Sequence, residues 1–461
     1  MITEPHVTPP PIPPTPIPPA PVADRQRVTA VDEVRGLAVL GILPMNIVTF
    51  ALPFAAYMAF TNPAVNAMAG EFTGLNRRVW WINHLIFDQK MMTLFSLLFG
   101  AGISMMHRRV SESRGLAHAP WAGVFYRRML ALLAIGLAHA YLIWFGDILV
   151  TYALCGMLLY PLRKFSARTL AIVGVALLAV MTLLNIGMGM GLASFRDEAL
   201  RVQALLDSGE TLTKAQQETL DGWRETSSMM SPDAAKIAEE TAARRGGFID
   251  NARQNFNTAI FFQTAMFLMW GLWRVTGLML LGMALERAGF FAARMSPRVY
   301  AAFAAVGYVV AVPLVAVGGV RLLENDGDMV DFYLISGHFN GLGSILVSLA
   351  HASVLMLLVR AGRAAWARGR LAAVGRMAFS NYLAQSLICT FIFYGWGLGY
   401  FGEFERGPVY LVVLGVWALQ LAWSPWWLDR FAYGPAEWLW RWMTYGRRPP
   451  MRRPHTTLAA D

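Results

Sequence analysis

Apolar blocks of about twenty residues recur along nearly the whole chain, and each is long enough to cross the hydrocarbon core of a bilayer as a helix. Because 56% of the residues are hydrophobic and only 15% are charged, a soluble fold would need an implausibly large core. A membrane can supply this burial instead. The sequence therefore predicts an all-α, polytopic transmembrane helical bundle that contacts the lipid bilayer.

Hydropathy windows of about nineteen residues predict ten spans. These lie near 34–56, 84–106, 126–145, 147–162, 167–193, 258–285, 298–320, 337–359, 373–399 and 408–428. The resulting domains are a disordered proline-rich tail (1–28), two five-span bundles (29–193 and 258–428), an extracytoplasmic helical insertion (194–257) and a basic tail (429–461). Within the insertion the sequence predicts helix, turn and helix, with Gly209 ending the first helix.

Basic residues accumulate in alternate loops, which predicts that the N- and C-termini are both cytoplasmic. The net charge of +10 is explained by these loops, so nucleic acid is not a predicted partner. Cys155 and Cys389 lie in apolar stretches without metal-ligand spacing, and no metal site is predicted. The oligomeric state does not follow from the sequence.

Polar side chains inside a bilayer are costly unless they are paired or hydrated, so they are the first candidates for a functional site. In the first span, Arg35 and Asn46 are eleven residues apart, hence on one face, and Pro44 between them leaves the carbonyl of Leu40 in need of another donor. The alternative roles are a headgroup anchor for Arg35 and an interhelical hydrogen bond for Asn46.

Arg274 stands about eleven residues, or roughly 16 Å, from the inner end of the sixth span and thus near the midplane of the bilayer. An arginine at that depth needs a carboxylate, several carbonyl groups or an anionic ligand. Arg274 is therefore a predicted substrate-binding residue.

His139 is a candidate general base because its ordinary pKa lies near neutrality. Asp147 follows it by eight residues, about 12 Å along a continuous helix, which is too far for a direct bond. Each would then need another partner, and Asp147 would orient His139 only through a bent or broken helix. The alternative role of His139 is a hydrogen bond to a neighbouring helix.

Two further groups of polar residues lie within predicted spans. Asn381 and Gln385 share one face of the ninth span, where such residues either bind a ligand or hold helices together. His84, Asp88 and Lys90 open the second span, where the predicted arrangement is a hydrated vestibule, since residues two apart on a helix do not face each other.

Several blocks of the sequence resemble the YeiB-like family of bacterial inner-membrane proteins. These blocks are VDEVRGLAVLGILPMNI, TLFSLLFGAG, HAYLIWFGDILVTYALCG, RVTGLMLLGMAL, GRMAFSNYLAQSLI and FAYGPAEWLWRWMTYGR. The resemblance implies an inner-membrane location and distant kinship with transmembrane acyltransferases, which pass an acyl group from cytoplasmic acyl-CoA to an acceptor on the far side.

The resemblance to those enzymes is incomplete at the catalytic position. Acyltransferase-3 proteins have a similar D-x-x-R-G opening and a catalytic histidine eleven residues after its arginine, where this chain has Asn46. The heparan-alpha-glucosaminide N-acetyltransferase group has asparagine there and a later histidine, to which His84 is a loose positional match. The catalytic residue is therefore His84, His139 or none.

Two functions are compatible with these residues. The first is an acyltransferase that needs no bound cofactor, in which Arg35 and Arg274 hold the acyl-CoA donor and His139 activates an extracytoplasmic acceptor. The second is a transporter or flippase of a small anion or lipid-linked compound, with Arg274 as its counter-ion.

Overall fold

The computed structural model describes residues 29–112 and 121–452, and the predicted disordered tail lies outside these ranges. The described chain is helical, without β-strands, which confirms the predicted all-α bundle. Its helices are α1 (Thr29–Ala51), α2 (Pro63–Ala69), α3 (Gly74–Ile82), α4 (Lys90–Glu112), α5 (Trp121–Leu142), α6 (Leu149–Leu159), α7 (Ala167–Asp207), α8 (Lys214–Met230), α9 (Ala234–Arg245), α10 (Phe248–Phe261), α11 (Leu272–Arg287), α12 (Pro297–Ala305), α13 (Val312–Glu324), α14 (Met329–Asp331), α15 (Gly337–Arg360), α16 (Ala365–Arg376), α17 (Ala378–Phe393), α18 (Tyr410–Arg430) and α19 (Pro435–Tyr445).

Six helical segments of the described chain are long and apolar enough to cross a membrane. They are Thr29–Ala51, Ala167–Asp207, Phe248–Arg287, Pro297–Glu324, Met329–Arg360 and Tyr410–Arg430. Helices α6 and α17 are apolar but shorter, while α4 and α5 have 23 and 22 residues. The protein is thus a multi-pass membrane protein, and the count of ten spans and the orientation of the termini stay predictions.

The start of the second predicted span differs from the structure because the chain is not a continuous helix there. A wide helical turn covers Asn83–Phe87, and Gln89 then adopts a left-handed backbone conformation with φ 60°. Helix α4 consequently begins at Lys90 rather than at residue 84. This break changes the direction of the side chains that the sequence places in one vestibule.

Close backbone contact joins α4 to α11, the two helices that carry many of the residues described below. A Cβ atom on Gly282 of α11 would lie 1.9 Å from the carbonyl oxygen of Leu97, and one on Gly100 of α4 would lie 1.9 Å from that of Met279. Only glycine fits at this crossing, as is common where membrane helices pack tightly.

Helix α7 contains 41 residues and continues past the predicted end of the fifth span into the insertion. It begins at the cap provided by Ser166, whose hydroxyl accepts from the N–H of Thr169. It ends at Asp207, and Gly209 turns the chain with φ 85° before α8 begins. The predicted helix, turn and helix are confirmed; that the insertion is extracytoplasmic stays a prediction.

Candidate functional site

Two cavities in the helical bundle contain most of the candidate residues. The larger, here called the Arg274 cavity, has a volume of about 360 Å³ and is lined by Asn46, Asp88, Asp147 and Arg274 together with aromatic and methionine side chains. The smaller, here called the four-arginine cavity, has a volume of about 200 Å³ and is lined by Arg35, Arg128, Arg376 and Arg441 above apolar side chains.

The two cavities lie at opposite ends of the same helices. On α1, Arg35 and Ile42 line the four-arginine cavity, whereas Asn46 and Thr49 line the Arg274 cavity one turn further on. Residue Ile148 lines both cavities. The cavities therefore approach each other at Ile148, and the four-arginine cavity is at the predicted cytoplasmic end of α1.

His139 and Asp147 are directly bonded, with 2.8 Å between Nδ1 of the histidine and Oδ1 of the carboxylate. The separation of about 12 Å expected for a continuous helix does not apply, because α5 ends at Leu142 and the chain turns back before α6 begins. The structure thus shows the broken helix that the direct bond requires. The second carboxylate oxygen of Asp147 accepts from the N–H of Val150, 2.8 Å away, at the start of α6. Since a carboxylate only accepts, Nδ1 of His139 carries the proton.

The imidazole of His139 lies between the two cavities and lines neither of them. Its ring centroid is 5.4 Å from that of Tyr382, which lines the four-arginine cavity. The Tyr382 hydroxyl in turn accepts from the N–H of Ile148 at 3.4 Å. Nε2 of His139 is buried without a hydrogen-bond partner among the described residues, so it is the unpartnered nitrogen of the ring.

Arg274 is completely buried at the wall of the larger cavity. Its guanidinium donates to the carbonyl oxygen of Gly341 at 2.9 Å, the hydroxyl of Ser344 at 2.7 Å and the hydroxyl of Thr93 at 3.2 Å. The structure therefore places Arg274 and Arg35 in different cavities, which does not fit the expectation that both hold one acyl-CoA donor.

Beside Arg274, the broken start of α4 forms a buried polar cluster. Lys90 donates to the carbonyl of His84 and the side chain of Asn340. Asp88 accepts from the hydroxyl of Tyr57 and, at 2.8 Å, from Nδ2 of Asn340. Asp88 and Lys90 thus share Asn340 as a partner, which the assumption of a continuous helix could not reveal.

The four-arginine cavity has a cationic rim that includes the tail helix α19. The guanidinium of Arg128 stacks on the indole of Trp440, 3.7 Å from its centroid. Glu437 of α19 accepts from the backbone N–H of Phe379 at 2.8 Å and of Ser380 at 3.2 Å. The acid of this rim is therefore held by the N-terminus of α17, where a negative charge is favoured.

Asn381 and Gln385 line neither cavity. Asn381 donates to the carbonyl of Val374 and the hydroxyl of Ser424, both at 3.1 Å. Gln385 donates to the carbonyl of Val39 and to the side chain of Gln420, both at 3.0 Å. These contacts match the interhelical role, while the substrate-binding role assigned to both residues stays an untested prediction.

Sequence reasoning missed several residues that line the cavities. Arg128, Arg376 and Arg441 belong to basic clusters that indicate membrane topology but carry no information about which side chains turn inward. Tyr382 was visible only as a neighbour of Asn381 on α17. The one available signal for α19 was the FAYGPAEWLWRWMTYGR block, which is part of the family resemblance.

The fold and the site together define a multi-pass α-helical membrane protein with a buried histidine–carboxylate pair between two cavities. The chain belongs to the YeiB-like family, as the sequence blocks predicted. A family model described as a protein of unknown function (DUF418) matches residues 285–447.

Relatives match the chain over nearly its whole length. The uncharacterized protein YeiB of Escherichia coli (strain K12) is 31% identical over 428 residues, which cover 91% of this chain and 96% of that protein. The uncharacterized protein YxaH of Bacillus subtilis (strain 168) is 29% identical over 426 residues, covering 91% and 94%. No solved structure gives a significant match.

Proposed function

We propose that the protein is a transmembrane acyl-group transferase with acyl-CoA as its donor and an extracytoplasmic molecule as its acceptor. The donor binds in the four-arginine cavity, and the acceptor binds in the Arg274 cavity. The observation that carries this proposal is the position of the His139–Asp147 pair beside Ile148, the residue that lines both cavities.

The chemistry of the four-arginine cavity suits acyl-CoA. Guanidinium groups bind phosphate oxygens strongly, and the rim supplies Arg35 and Arg128 among its four. Deeper in the cavity, Phe95, Phe99 and Leu132 provide an apolar wall for an acyl chain. A donor whose phosphates lie at the rim extends its thioester toward Ile148.

The transfer step requires only one proton relay. Nε2 of His139 takes the proton of an acceptor hydroxyl while the oxygen attacks the thioester carbonyl. The carbon–sulfur bond breaks, His139 returns the proton to the departing sulfur, and the products are an acylated acceptor and free CoA. Asp147 keeps the Nδ1 proton of His139 in place, which leaves Nε2 as the base.

Transport of a small anion or lipid-linked compound is the second candidate function. It is favoured by one observation, namely that Arg274 lines a cavity separated from a second cavity at the opposite end of α1. A flippase would bind its cargo alternately from the two ends and would need no base. Acyl product formed in detergent, where no gradient exists, excludes transport as the sole activity.

Purified protein in neutral detergent, incubated with radiolabelled acyl-CoA of several chain lengths and cell-envelope extract, tests the proposal. We expect a labelled product from the wild type and a rate lower by roughly 100-fold or more in His139→Gln. The matched control is His351→Gln. His351 bonds to Tyr308 and Ile86, which line neither cavity, whereas His139 bonds to Asp147, which lines the Arg274 cavity. Wild-type protein that neither binds nor consumes any acyl-CoA contradicts the proposal.

A binding measurement examines the donor cavity separately. Arg35→Gln should weaken the binding of free CoA by roughly tenfold, the value of about one charge-assisted hydrogen bond. Arg360→Gln is the control because Arg360 donates to the carbonyl of Ala293 and lines neither cavity. Equal CoA affinity in both variants would place the donor elsewhere.

A further inference from the structure

No carboxylate among the described residues accepts a hydrogen bond from Arg274. Its three hydrogen-bond acceptors, from Gly341, Ser344 and Thr93, are all neutral. Among residues 29–112 and 121–452, no ion pair within 4.0 Å joins Arg274 to an aspartate or glutamate. A buried cation with only neutral partners is unfavourable unless an anion joins it.

The guanidinium also retains donor capacity. A guanidinium carries five N–H donors, and the three observed bonds come from its two terminal nitrogens. Nε is buried and has no hydrogen-bond partner among the described residues. Arg274 can therefore bind another acceptor group without giving up any of the bonds that hold it.

Arg274 lies beside a buried cluster that contains one further cation and one carboxylate. Lys90 is also completely buried, and among residues 29–112 and 121–452 its ammonium donates to neutral oxygens, those of His84 and Asn340. Asp88 is the acid of the same cluster, and Tyr57 and Asn340 already donate to its two oxygens. Lys90 and Asp88 therefore offset each other within this cluster, which leaves Arg274 without a hydrogen-bonded carboxylate of its own.

Many of the other side chains that line the Arg274 cavity are apolar and polarisable, while Asn46, Asp147 and Gln263 are among its polar lining residues. The apolar side chains include Met92, Met266, Phe267 and Trp270, and the ring of Trp270 lies 5.8 Å from the guanidinium carbon of Arg274. Such walls accept hydrocarbon or ring surfaces rather than a small hydrated anion. The cavity thus combines a buried guanidinium at one wall with many apolar side chains elsewhere in its lining.

From this geometry we infer that the molecule bound in the Arg274 cavity carries an anionic group, a phosphate or a carboxylate, which Arg274 binds. This inference deepens the proposed function and rests on it in naming that molecule the acceptor. Asp147 lies at another part of the same cavity wall. The acceptor consequently presents its anionic group to Arg274 and its hydroxyl toward the His139–Asp147 pair.

Binding measurements without acyl-CoA test the inference in two matched pairs of probes. Phosphatidylglycerol and diacylglycerol both carry a hydroxyl and two acyl chains, but only the former has a phosphate. Glycerol phosphate and glycerol form the corresponding soluble pair. We expect the anionic member of at least one pair to bind wild-type protein at least tenfold more tightly than the neutral member, and the pair that does so identifies a lipid-linked or a soluble acceptor.

Variants then assign the preference to Arg274. Arg274→Gln should abolish the preference for the anionic probe, and Arg274→Lys should keep part of it. Arg321→Gln should leave it unchanged, because Arg321 pairs with Asp331 and lies outside the cavity lining. If Arg274→Gln does not fold, the comparison of anionic and neutral probes on the wild-type protein still shows whether the cavity prefers an anionic group.

Equal binding of charged and neutral probes, no binding of either anionic probe, or an unchanged preference in Arg274→Gln would overturn the inference. The proposed function fails separately. Selective anion binding without acyl transfer from any donor refutes the transferase alone. If acyl transfer to a neutral acceptor is as fast in Arg274→Gln as in the wild type, only the inference that the acceptor carries an anionic group is refuted.

Discussion

The indole nitrogen of Trp417 donates a hydrogen bond to the carbonyl oxygen of Leu40, 2.8 Å away. Pro44 has no N–H, so it leaves this carbonyl without its partner in α1, and a donor from elsewhere was predicted from the sequence. This donor comes from α18, where the side chain of Trp417 is half-buried. The bond lets α1 keep a proline between Ile42, which lines the four-arginine cavity, and Asn46, which lines the Arg274 cavity.

Replacing Trp417 by phenylalanine should destabilise the protein, because the carbonyl of Leu40 would be buried without a donor. The expected loss is about 1–3 kcal/mol in the free energy of unfolding. Thermal unfolding in detergent measures it. Trp426→Phe serves as the control, since the Trp426 side chain is 52% exposed, and an equal loss in both variants would contradict this role of Trp417.

Asp147→Asn separates orientation of His139 from helix capping. The amide oxygen can still accept from the N–H of Val150, but the amide nitrogen then faces Nδ1 of His139 and forces the proton onto Nε2. We expect the transfer rate to fall by roughly 10³–10⁴-fold, as when an orienting carboxylate becomes an amide in a catalytic triad.

Asp147→Asn should retain its thermal stability. Asp147→Ala should lose activity and also about 1 kcal/mol of stability, because the N–H of Val150 loses its side-chain acceptor. Single-turnover rates and unfolding midpoints, measured on the same preparations, distinguish the two effects. A fully active Asp147→Asn protein would show that the pair is only structural.

Gly282→Ala should prevent tight packing of α11 against α4, because the new methyl group would lie 1.9 Å from the carbonyl oxygen of Leu97. We expect a loss of about 3 kcal/mol or more in stability. Gly187→Ala is the matched control in α7, where an added Cβ meets no atom within 4 Å. That change should stabilise the helix by up to about 1 kcal/mol, and unfolding in detergent compares them.

Burial raises the pKa of Glu437, in the predicted cytoplasmic tail, above its usual 4.5, although hydrogen bonds from Ser380 and Phe379 partly oppose the shift. The folded state therefore keeps this proton to a higher pH than the unfolded state does. The contribution of Glu437 to stability is largest at low pH and is lost as the pH rises from 4.5 through the raised pKa.

Thermal unfolding of the wild type and of Glu437→Gln across this range measures the contribution as a difference between the two proteins. The wild type should lose stability relative to the variant as the pH rises. If the difference in stability between the two proteins stays constant with pH, or grows in favour of the wild type, burial does not destabilise the ionised carboxylate of Glu437.

The fold class and the long apolar helices followed from the length of the apolar blocks, because that property is written directly into consecutive residues. The family followed from the resemblance of several sequence blocks. The breaks between helices did not follow. The turn after Leu142 and the left-handed Gln89 depend on tertiary contacts, and they decide whether His139 reaches Asp147 and whether Asp88 and Lys90 share Asn340.

The grouping of the arginines was equally hidden from sequence reasoning. Arg35 and Arg274 were both recognised as costly charges, yet only packing distributes them to different cavities. A hydropathy pattern reports the depth of a residue and not the neighbour it faces. For the same reason, Arg441 of the tail helix gave no sign that it would line a cavity with Arg35.

The length of helix α7 determines how far a small tilt of this helix would displace the insertion. Its 41 residues make a rod about 60 Å long, roughly twice the thickness of the hydrocarbon core. Glycine contacts fasten it to neighbouring helices, with Gly174 against Gly277 of α11 and Gly189 against Leu334. A tilt of about 10° at that anchorage would displace the Asp207 end, and α8 with it, by about 5 Å for an overhang of about 30 Å.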